Sequence, residues 1–306
     1  MSKVRNEVVK TNLLNTALQK LSLVEIRIIQ LAIIDARESG KGLDTITPLK
    51  IEAKRYAEAF NTLPSNAYRQ MKEAEATLFE RQFTITVDGK PRKSRWLQDV
   101  VYLDGEGAIE LVFTRTVVEG ISRIDGAVDF FTSYLLSQTA TLKSPYSVRL
   151  YELLTQWRAA KKIPTFNTQT LKEQLGVEPE DYPRMYDFKK RVLDAAKKEV
   201  TKKTDLTVEY TQVKKGKEIV GFNFVIEVKK EDKPIKEVSE DKPLTLTPKQ
   251  LSVYSKRLAE LPELGSNAPM GASTGDYAAS IAIELADKYK QKKYIKHLEK
   301  LGFKAA

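Results

Sequence analysis

The sequence contains no cysteine and only one histidine, His297. Without cysteine the chain can form neither a disulfide framework nor a thiolate nucleophile, a composition that fits a reducing cytoplasm. With one histidine it lacks the histidine pair that holds a metal ion beside the nucleophilic tyrosine of rolling-circle initiators and relaxases. Tyrosine recombinases also normally place a histidine among several arginines, and no such cluster is evident. These absences argue against an enzyme that cuts DNA.

Long apolar runs and nucleotide-binding loops are also missing. No stretch approaches the roughly 18 apolar residues that span a membrane, and the N-terminus lacks the apolar core of a signal peptide. Gly40-Lys41-Gly42 and Gly216-Lys217 lack the flanking glycine and hydroxyl of a phosphate-binding G-x-x-x-x-G-K-[ST] loop. Carboxylates are plentiful, but no spacing singles out acid–base or metal chemistry. We therefore expect a cytoplasmic protein without cofactor, metal or membrane partner, which acts by binding and is not an enzyme.

The length of the chain limits the number of domains, and its positive charge indicates the kind of partner. The chain of 306 residues is long enough for two core-bearing domains and an appendage. Its hydrophobic content of 42% suits a soluble globular protein. The formal net charge of +10 indicates an anionic partner, and nucleic acid is the commonest one.

Much of the positive charge lies in the stretch Tyr182–Lys217. At about 100° per residue, Tyr182–Lys203 forms an amphipathic helix. Its apolar side gathers Phe188, Val192, Leu193, Ala195, Ala196 and Val200, and its polar side Asp187, Lys190, Arg191, Asp194, Lys197, Lys198 and Thr201. Alternating apolar residues beyond Thr204 predict a hairpin with a lysine-rich tip. A basic helix followed by such a hairpin is typical of a winged-helix domain, in which the helix enters the major groove and the tip holds phosphate.

The same stretch carries eleven Lys or Arg residues against five Asp or Glu, a net charge of +6. A solvated basic face is the simpler interpretation of a lysine run, but charge on both the helix and the adjoining tip favours DNA. The predicted DNA-binding residues are Arg184, Lys189, Lys190, Arg191, Lys197, Lys198, Lys214, Lys215 and Lys217, with Arg69 and Lys72 on the corresponding helix of a first domain.

A pass along the chain predicts two cycles of helices followed by strands. The first cycle has helices at 6–18, 23–36 behind a Ser22 cap, 50–60 and 66–81, and strands at 83–87, 96–103 and 108–113. The second has helices at 114–121 and 130–139, one from Ser144-Pro145, a strand at 163–166, a helix from Asn167 to Gly176, and then the basic helix and hairpin.

This repeated order predicts an α+β fold of two tandem winged-helix domains with a small helical C-terminal extension. We expect residues 1–125 to contact DNA and to dimerise, because the apolar strand at 96–103 offers a sheet edge that can pair with its twin across a two-fold axis. We expect residues 126–230 to provide most of the DNA reading. Residues 231–306 form a charged, proline-bearing linker and a helical tail, and the sequence assigns this tail no role.

Four blocks resemble the replication initiator (Rep) proteins of theta-replicating iteron plasmids, the family that includes the F-plasmid initiator. They are SNAYRQMKEAEATLF at 65–79, LVFTRTVVEGIS at 111–122, SPYSVRLYELL at 144–154, and YPRMYDFKKRVLDAAKKEV with the KKGK hairpin at 182–217. The blocks occur in the family's order at compatible spacings. The family often has arginine where this chain has Lys189 and Lys190, and lysine cannot form arginine's bidentate fork to guanine. Arg191 is therefore the predicted base reader.

The resemblance implies binding of double-stranded DNA at direct repeats, the iterons, opening of adjacent AT-rich DNA, and recruitment of the host initiator and replicative helicase. It also implies homodimers, formed through the first domain, that repress the protein's own gene at an inverted repeat, and monomers on iterons. The alternative is a winged-helix transcriptional repressor without a replication role, which would show the same DNA-binding signal. Direct repeats beside the gene would separate the two. An enzyme acting on DNA is a more distant alternative.

Overall fold

The computed structural model describes residues 6–122, 130–160, 162–229, 246, 248–265, 273–287, 290–294, 297–298, 301 and 303. It divides the chain into two compact units, residues 1–230 and residues 231–306. Helices and strands alternate along the first unit, which confirms the predicted α+β class. The predicted boundary between residues 125 and 126 falls among residues 123–129, outside the described residues, and stays a prediction.

The first half of the larger unit combines short strands with a long buried helix. Its elements are β1 Glu7–Thr11, α1 Asn12–Asn15, β2 Leu18–Gln19, α2 Leu23–Ser39, β3 Leu49–Glu52, α3 Ala53–Phe60, α4 Pro64–Glu80, β4 Gln82–Val87, β5 Lys90–Arg95, β6 Leu97–Leu103, β7 Ala108–Phe113 and α5 Arg115–Ile121. Strands β2 to β7 form two three-stranded antiparallel sheets, in the orders β2-β4-β5 and β3-β7-β6. Helix α2 is buried along most of its length, with Ile28, Leu31 and Ile34 fully enclosed.

The second half ends in a long helix and a hairpin. Its elements are β8 Phe131–Leu135, α6 Leu136–Ala140, α7 Pro145–Thr155, β9 Phe166–Asn167, α8 Thr168–Leu175, α9 Met185–Phe188, a π-helical turn Lys189–Leu193, α10 Asp194–Lys203, β10 Leu206–Lys215 and β11 Glu218–Val228. We call the continuous helical run from α9 through α10 the basic helix, and β10, β11 and their turn the wing. Strand β9 adds to the wing in the order β10-β11-β9.

Capping groups confirm several predicted helix ends. The Ser22 hydroxyl accepts a hydrogen bond from the Glu25 N–H while the Glu25 carboxylate accepts one from the Ser22 N–H, a capping box. Asn167 caps α8, which Gly176 ends with a φ of 82°. A Cβ atom at Gly176 would also lie 2.9 Å from the carbonyl oxygen of Gln19. Glycine is therefore required there both for its conformation and for space.

Three predicted helices are wrong in part because strands replace portions of them. Residues 6–18 contain β1, the short α1 and β2, while residues 50–60 begin with β3 and residues 130–139 begin with β8. Strand β1 pairs with β8, with Glu7 opposite Leu135, and β3 pairs with β7. These partners lie far away in the sequence, so local periodicity contains no sign of the hydrogen bonds that favour strands.

The predicted three-strand run of the first half contains a fourth strand, β5. Asp88 and Gly89 form the turn that precedes it, with φ values of 53° and 74°, as a type I′ hairpin requires. The β5 sequence KPRKSR has no β-branched residue, and it contains Pro91. Proline is tolerated because β5 lies at the edge of its sheet. The composition of β5 therefore does not predict a strand, although the Asp88-Gly89 turn before it indicates one.

The smaller unit has its own apolar cluster and confirms the predicted helical extension. Its elements are α11 Pro248–Ala259, α12 Pro262–Gly265, α13 Thr274–Ala286 and a 3-10 helical turn Lys290–Tyr294. The buried cluster consists of Leu258, Leu264, Tyr277, Ile281, Leu285, Tyr294 and Leu298. Most of the predicted linker lies outside the described residues. Within the described part of the chain, no helix is long and apolar enough to cross a membrane.

Candidate nucleic-acid interface

The basic helix and the wing pack against each other through a shared core. The Phe222 ring of the wing lies 6.2 Å from the Phe188 ring and 5.6 Å from the Tyr210 ring, measured between centroids. Buried side chains come from Phe188, Val192, Leu193, Ala196 and Val200 of the helix and from Leu206, Val208, Phe222 and Phe224 of the wing. This core holds the helix and the wing in one fixed arrangement, so their outward-facing cations keep constant relative positions.

The buried residues of the basic helix recur at every fourth position, at 188, 192, 196 and 200. An α-helix has 3.6 residues per turn, so a row with a spacing of four rotates by about 40° at each step and leaves the core. The π-helical turn Lys189–Leu193 has wider turns and offsets this rotation. Ala195, predicted on the apolar side, is exposed, because the wide turn gives the buried place to Ala196.

The predicted DNA-binding residues of the basic helix lie on its outward side to different degrees. Arg184, Lys190, Arg191 and Lys198 are exposed. Lys189 and Lys197 are half-buried. Arg184 stands at the position before the first turn, and its carbonyl accepts hydrogen bonds from the N–H groups of two residues in that turn. The structure thus gathers six cations on one helix and leaves four of them widely accessible.

Carboxylates accompany two of these cations. Arg191 is 69% exposed, and its Nε lies 3.6 Å from Asp187 Oδ1, beyond hydrogen-bond distance. Lys197 Nζ lies 2.8 Å from Glu209 Oε2 of β10. One partner of each pair is mostly exposed, and ion pairs at the protein surface contribute about 0.2–1 kcal/mol to stability. A DNA phosphate or base edge can therefore replace either carboxylate at small cost.

The wing tip is a two-residue turn rich in lysine. Lys215 pairs with Glu218 across Gly216 and Lys217. Gly216 has a φ of 64°, a conformation that glycine adopts without steric cost. The register shifts between Val213 and Lys214, and such bulges increase the local twist of a hairpin. Lys214, Lys215 and Lys217 are all exposed, so the tip presents three cations to solvent.

Arg69 and Lys72 occupy the exposed side of α4. Lys72 Nζ lies 2.6 Å from Asp104 Oδ1, which also accepts a hydrogen bond from the Tyr68 hydroxyl at 3.0 Å. The hydrogen bond with Asp104 raises the pKa of Lys72 and lowers that of Asp104. Among the described residues Arg69 forms no ion pair, so it is the more readily available cation of the two.

The structure contains a second basic hairpin, which was not predicted from the sequence. It consists of β4 and β5 and exposes Lys90, Arg92 and Lys93. Arg95, at the end of β5, lies 3.0 Å from Glu80 and so is partly compensated. The signal was present as an Asp-Gly turn directly before four basic residues in KPRKSR. This hairpin is the counterpart, in the first half of the unit, of the wing.

The sequence of this chain matches two family models and resembles two proteins of Escherichia coli. The family model "Initiator Replication protein, WH1" matches residues 7–155, and "Initiator Rep protein, WH2" matches residues 167–226. These matches confirm the predicted pair of winged-helix domains. The PI protein of Escherichia coli is 30% identical over 251 residues, which cover 71% of this chain and 81% of that protein. An uncharacterised 27.6 kDa protein of Escherichia coli is 23% identical over 175 residues, 55% of this chain and 70% of that protein.

A solved structure extends the comparison to three dimensions. The crystal structure of Pi initiator protein in complex with iteron DNA matches with a TM-score of 0.61 and 27% identity. The match covers 75% of this chain and all of that chain. The basic helix, the β4–β5 hairpin and all of the wing except its last two residues lie within the residues that the two family models match.

Proposed function

This chain belongs to the family of plasmid replication initiators, and from that premise we propose that it binds the iterons of its own replication origin. The similarity to an initiator crystallised with iteron DNA is the observation that carries the proposal. The exposed cations of the basic helix and the wing supply the chemistry, because duplex DNA presents a dense row of phosphates.

In the proposed complex the basic helix lies in the major groove with its N-terminal end at the bases. Arg191 donates two of its guanidinium N–H groups, one to O6 and one to N7 of a guanine, the commonest specific contact of arginine. Asp187 holds the guanidinium loosely in the free protein, at 3.6 Å, and the base edge takes its place. Lys190, one residue earlier and also exposed, contacts a neighbouring base or phosphate as a point charge.

The wing and the first winged-helix domain supply the contacts that do not depend on base sequence. Lys214, Lys215 and Lys217 hold phosphates beside the groove that the helix occupies. Arg69 and Lys72 on α4, together with the β4–β5 hairpin, contact phosphates on the same repeat. Such contacts fix the position of the protein on the duplex while base contacts select the sequence.

Opening of the AT-rich DNA beside the iterons would follow from binding alone. None of the chain's three glycine-lysine sequences, at Gly40, Gly89 and Gly216, completes a nucleotide-binding loop, so the energy to deform DNA comes from the contacts that bending permits. The opened strands would then receive the host initiator and the replicative helicase, which this chain recruits. Permanganate reactivity of thymines on supercoiled origin DNA, with and without the protein, measures the opening directly.

Autorepression requires a second form of the protein, a homodimer on an inverted repeat. Strand β6 lies at the edge of the β3-β7-β6 sheet, and Val101 on it is 47% exposed. An exposed apolar edge strand can pair with its twin across a two-fold axis. Light scattering tests this: we expect a dimer in free solution and one chain on a single-repeat duplex. A monomer at all concentrations, or a dimer retained on one repeat, contradicts the switch.

Footprinting on the DNA that flanks the gene tests the proposed function as a whole. We expect protection of tandem repeats about two helical turns in spacing, beside an AT-rich block. A plasmid with only this origin should replicate when the gene is present and fail when the repeats are deleted. Protection of an inverted repeat alone, with no effect on replication, would instead establish the transcriptional repressor.

A further inference from the structure

Tyr186 projects into solvent from the first turn of the basic helix. Its side chain is 64% exposed, although it follows Met185, which packs against the core. An exposed aromatic ring is costly in water, since burying apolar surface stabilises a protein by about 25 cal/mol per Å². The ring also lies at the end of the helix that meets the bases in helix-turn-helix complexes.

The spacing of the helix places Tyr186 in line with exposed polar residues. Lys190, Asp194 and Lys198 follow Tyr186 at intervals of four and are exposed. The buried row at 188, 192, 196 and 200 lies opposite and has the same interval. The π-helical turn that keeps the buried row against the core therefore keeps this outward row straight as well. Tyr186 is the one aromatic side chain of that row.

Contacts with Lys190 fix the orientation of the tyrosine ring. Lys190 Nζ lies 5.5 Å from the ring centroid and 3.3 Å from the hydroxyl oxygen. Cation–π attraction between residues four apart on a helix holds the two side chains together. The hydroxyl accepts a hydrogen bond from Lys190 and keeps its own O–H as a donor, whereas the carbon surface of the ring is the part of Tyr186 that can contact an apolar group of DNA.

The major groove has one prominent apolar group, the C5-methyl of thymine. We propose that the Tyr186 ring contacts a thymine methyl group in the repeat, next to the base or phosphate that Lys190 contacts. Tyr186 thereby adds selection for thymine to the guanine selection of Arg191. This inference rests on the proposed binding of direct repeats and names a further residue that determines their sequence.

Deoxyuridine provides the test, because it pairs as thymine does and lacks only the methyl group. Full-length wild-type protein, Tyr186→Ala and Tyr186→Phe are titrated on duplexes with one repeat, in which each thymine is replaced in turn by deoxyuridine. We expect wild type to lose about fourfold in affinity at one position, the value for one buried methyl group. Tyr186→Phe should keep that loss, since the ring remains, and Tyr186→Ala should bind both duplexes equally.

Three results would overturn the assignment. They are a Tyr186→Ala variant with the wild-type loss on deoxyuridine, a wild type that tolerates deoxyuridine everywhere, and a Tyr186→Ala variant that binds the thymine repeat as tightly as wild type. Thermal unfolding of each variant checks that the exposed substitution leaves the fold intact. A wild type that does not distinguish the repeat from a scrambled duplex would contradict the proposed function itself, before Tyr186 is considered.

Discussion

Lys10 and Glu152 form an ion pair in the protein interior, with 2.8 Å between Lys10 Nζ and Glu152 Oε1 and side-chain exposures of 5% and 2%. The pair joins β1 to α7. The Glu152 carboxylate also accepts hydrogen bonds from the Tyr134 hydroxyl and from Arg149, both at 2.6 Å. A buried carboxylate with this many donors is stable only while all of them stay in place.

Glu152 should make the stability of the protein depend on acid. Burial alone would raise the pKa of Glu152, but the charges of Lys10 and Arg149 outweigh it and lower the pKa from 4.5 to about 2. A carboxylate with a lowered pKa contributes stability above its unfolded value, and this is lost as pH falls towards the folded value. In urea unfolding, the contribution of Glu152 to the free energy of unfolding should be constant above pH 4.5 and should decrease between pH 4.5 and 2.

Substitution isolates that contribution. Glu152→Gln should lower the free energy of unfolding by about 3–5 kcal/mol at pH 7, because it leaves a buried lysine without its counter-charge. The matched control is Glu178→Gln, which breaks the exposed pair with Lys20 at 3.0 Å and should change stability by less than about 1 kcal/mol. Equal stability of the two variants would refute a structural role for the buried pair.

Arg191→Ala should reduce affinity for the cognate repeat by about 1–3 kcal/mol and relax the preference for guanine at one position. Arg191→Lys is the matched variant, which keeps the charge and removes the bidentate fork. We expect Arg191→Lys to bind unrelated DNA more tightly than Arg191→Ala does, while its preference for guanine stays as weak as in that variant. The measurement is fluorescence anisotropy on repeats with each guanine substituted. An Arg191→Ala protein that discriminates as well as wild type would disprove base reading by this residue.

The wing lysines should act on all DNA alike. Lys215→Ala and Lys217→Ala each remove one exposed cation, and each should lower the slope of log affinity against log salt by about 1. Cognate and scrambled duplexes should weaken to the same extent. Lys41→Ala, an exposed lysine outside the basic helix and the wing, serves as the control and should leave the slope unchanged. A loss confined to the cognate repeat would mean that the wing reads bases.

Removal of the tail should separate DNA binding from replication. Residues 231–306 form a compact unit with their own apolar cluster, so a chain that ends at Lys230 retains the core of both winged-helix domains. We expect its affinity for the repeat to stay close to that of the full chain, while plasmid replication in the cell falls. An insoluble truncated protein, or one that no longer binds the repeat, would show that the tail stabilises the DNA-binding unit.

The sequence predicted those parts of the fold whose signals are local. The Ser22 capping box, the Asn167 cap and the left-handed Gly176 are each decided within a few residues. The lysine-rich tip could be predicted in the same way, because Gly216 permits the turn that the hairpin needs. The strands that the sequence presented as helices, β1, β3 and β8, depend on partners far away in the chain.

In the candidate interface, too, local sequence patterns predict some residues correctly and miss others. Helical periodicity is enough to place Lys190, Arg191 and Lys198 on the outward side. It could not place Ala195, because a regular projection at about 100° per residue takes no account of a π-helical turn. A buried interval of four residues, from Phe188 to Val200, is the signal that would have revealed it. The β4–β5 hairpin was hidden by its low strand propensity, not by a lack of charge.

The proposed function depends on one property of this chain, its selection of the direct repeat beside its gene. Its direct test is the affinity of the full-length protein for a duplex with one repeat and for the same duplex with a scrambled repeat, at one fixed salt concentration. Specific DNA-binding proteins prefer their sites by at least about a thousandfold. We expect a preference of that order, reduced by Arg191→Ala. Equal affinity for the two duplexes would contradict the claim and leave only non-specific attraction between a basic surface and DNA.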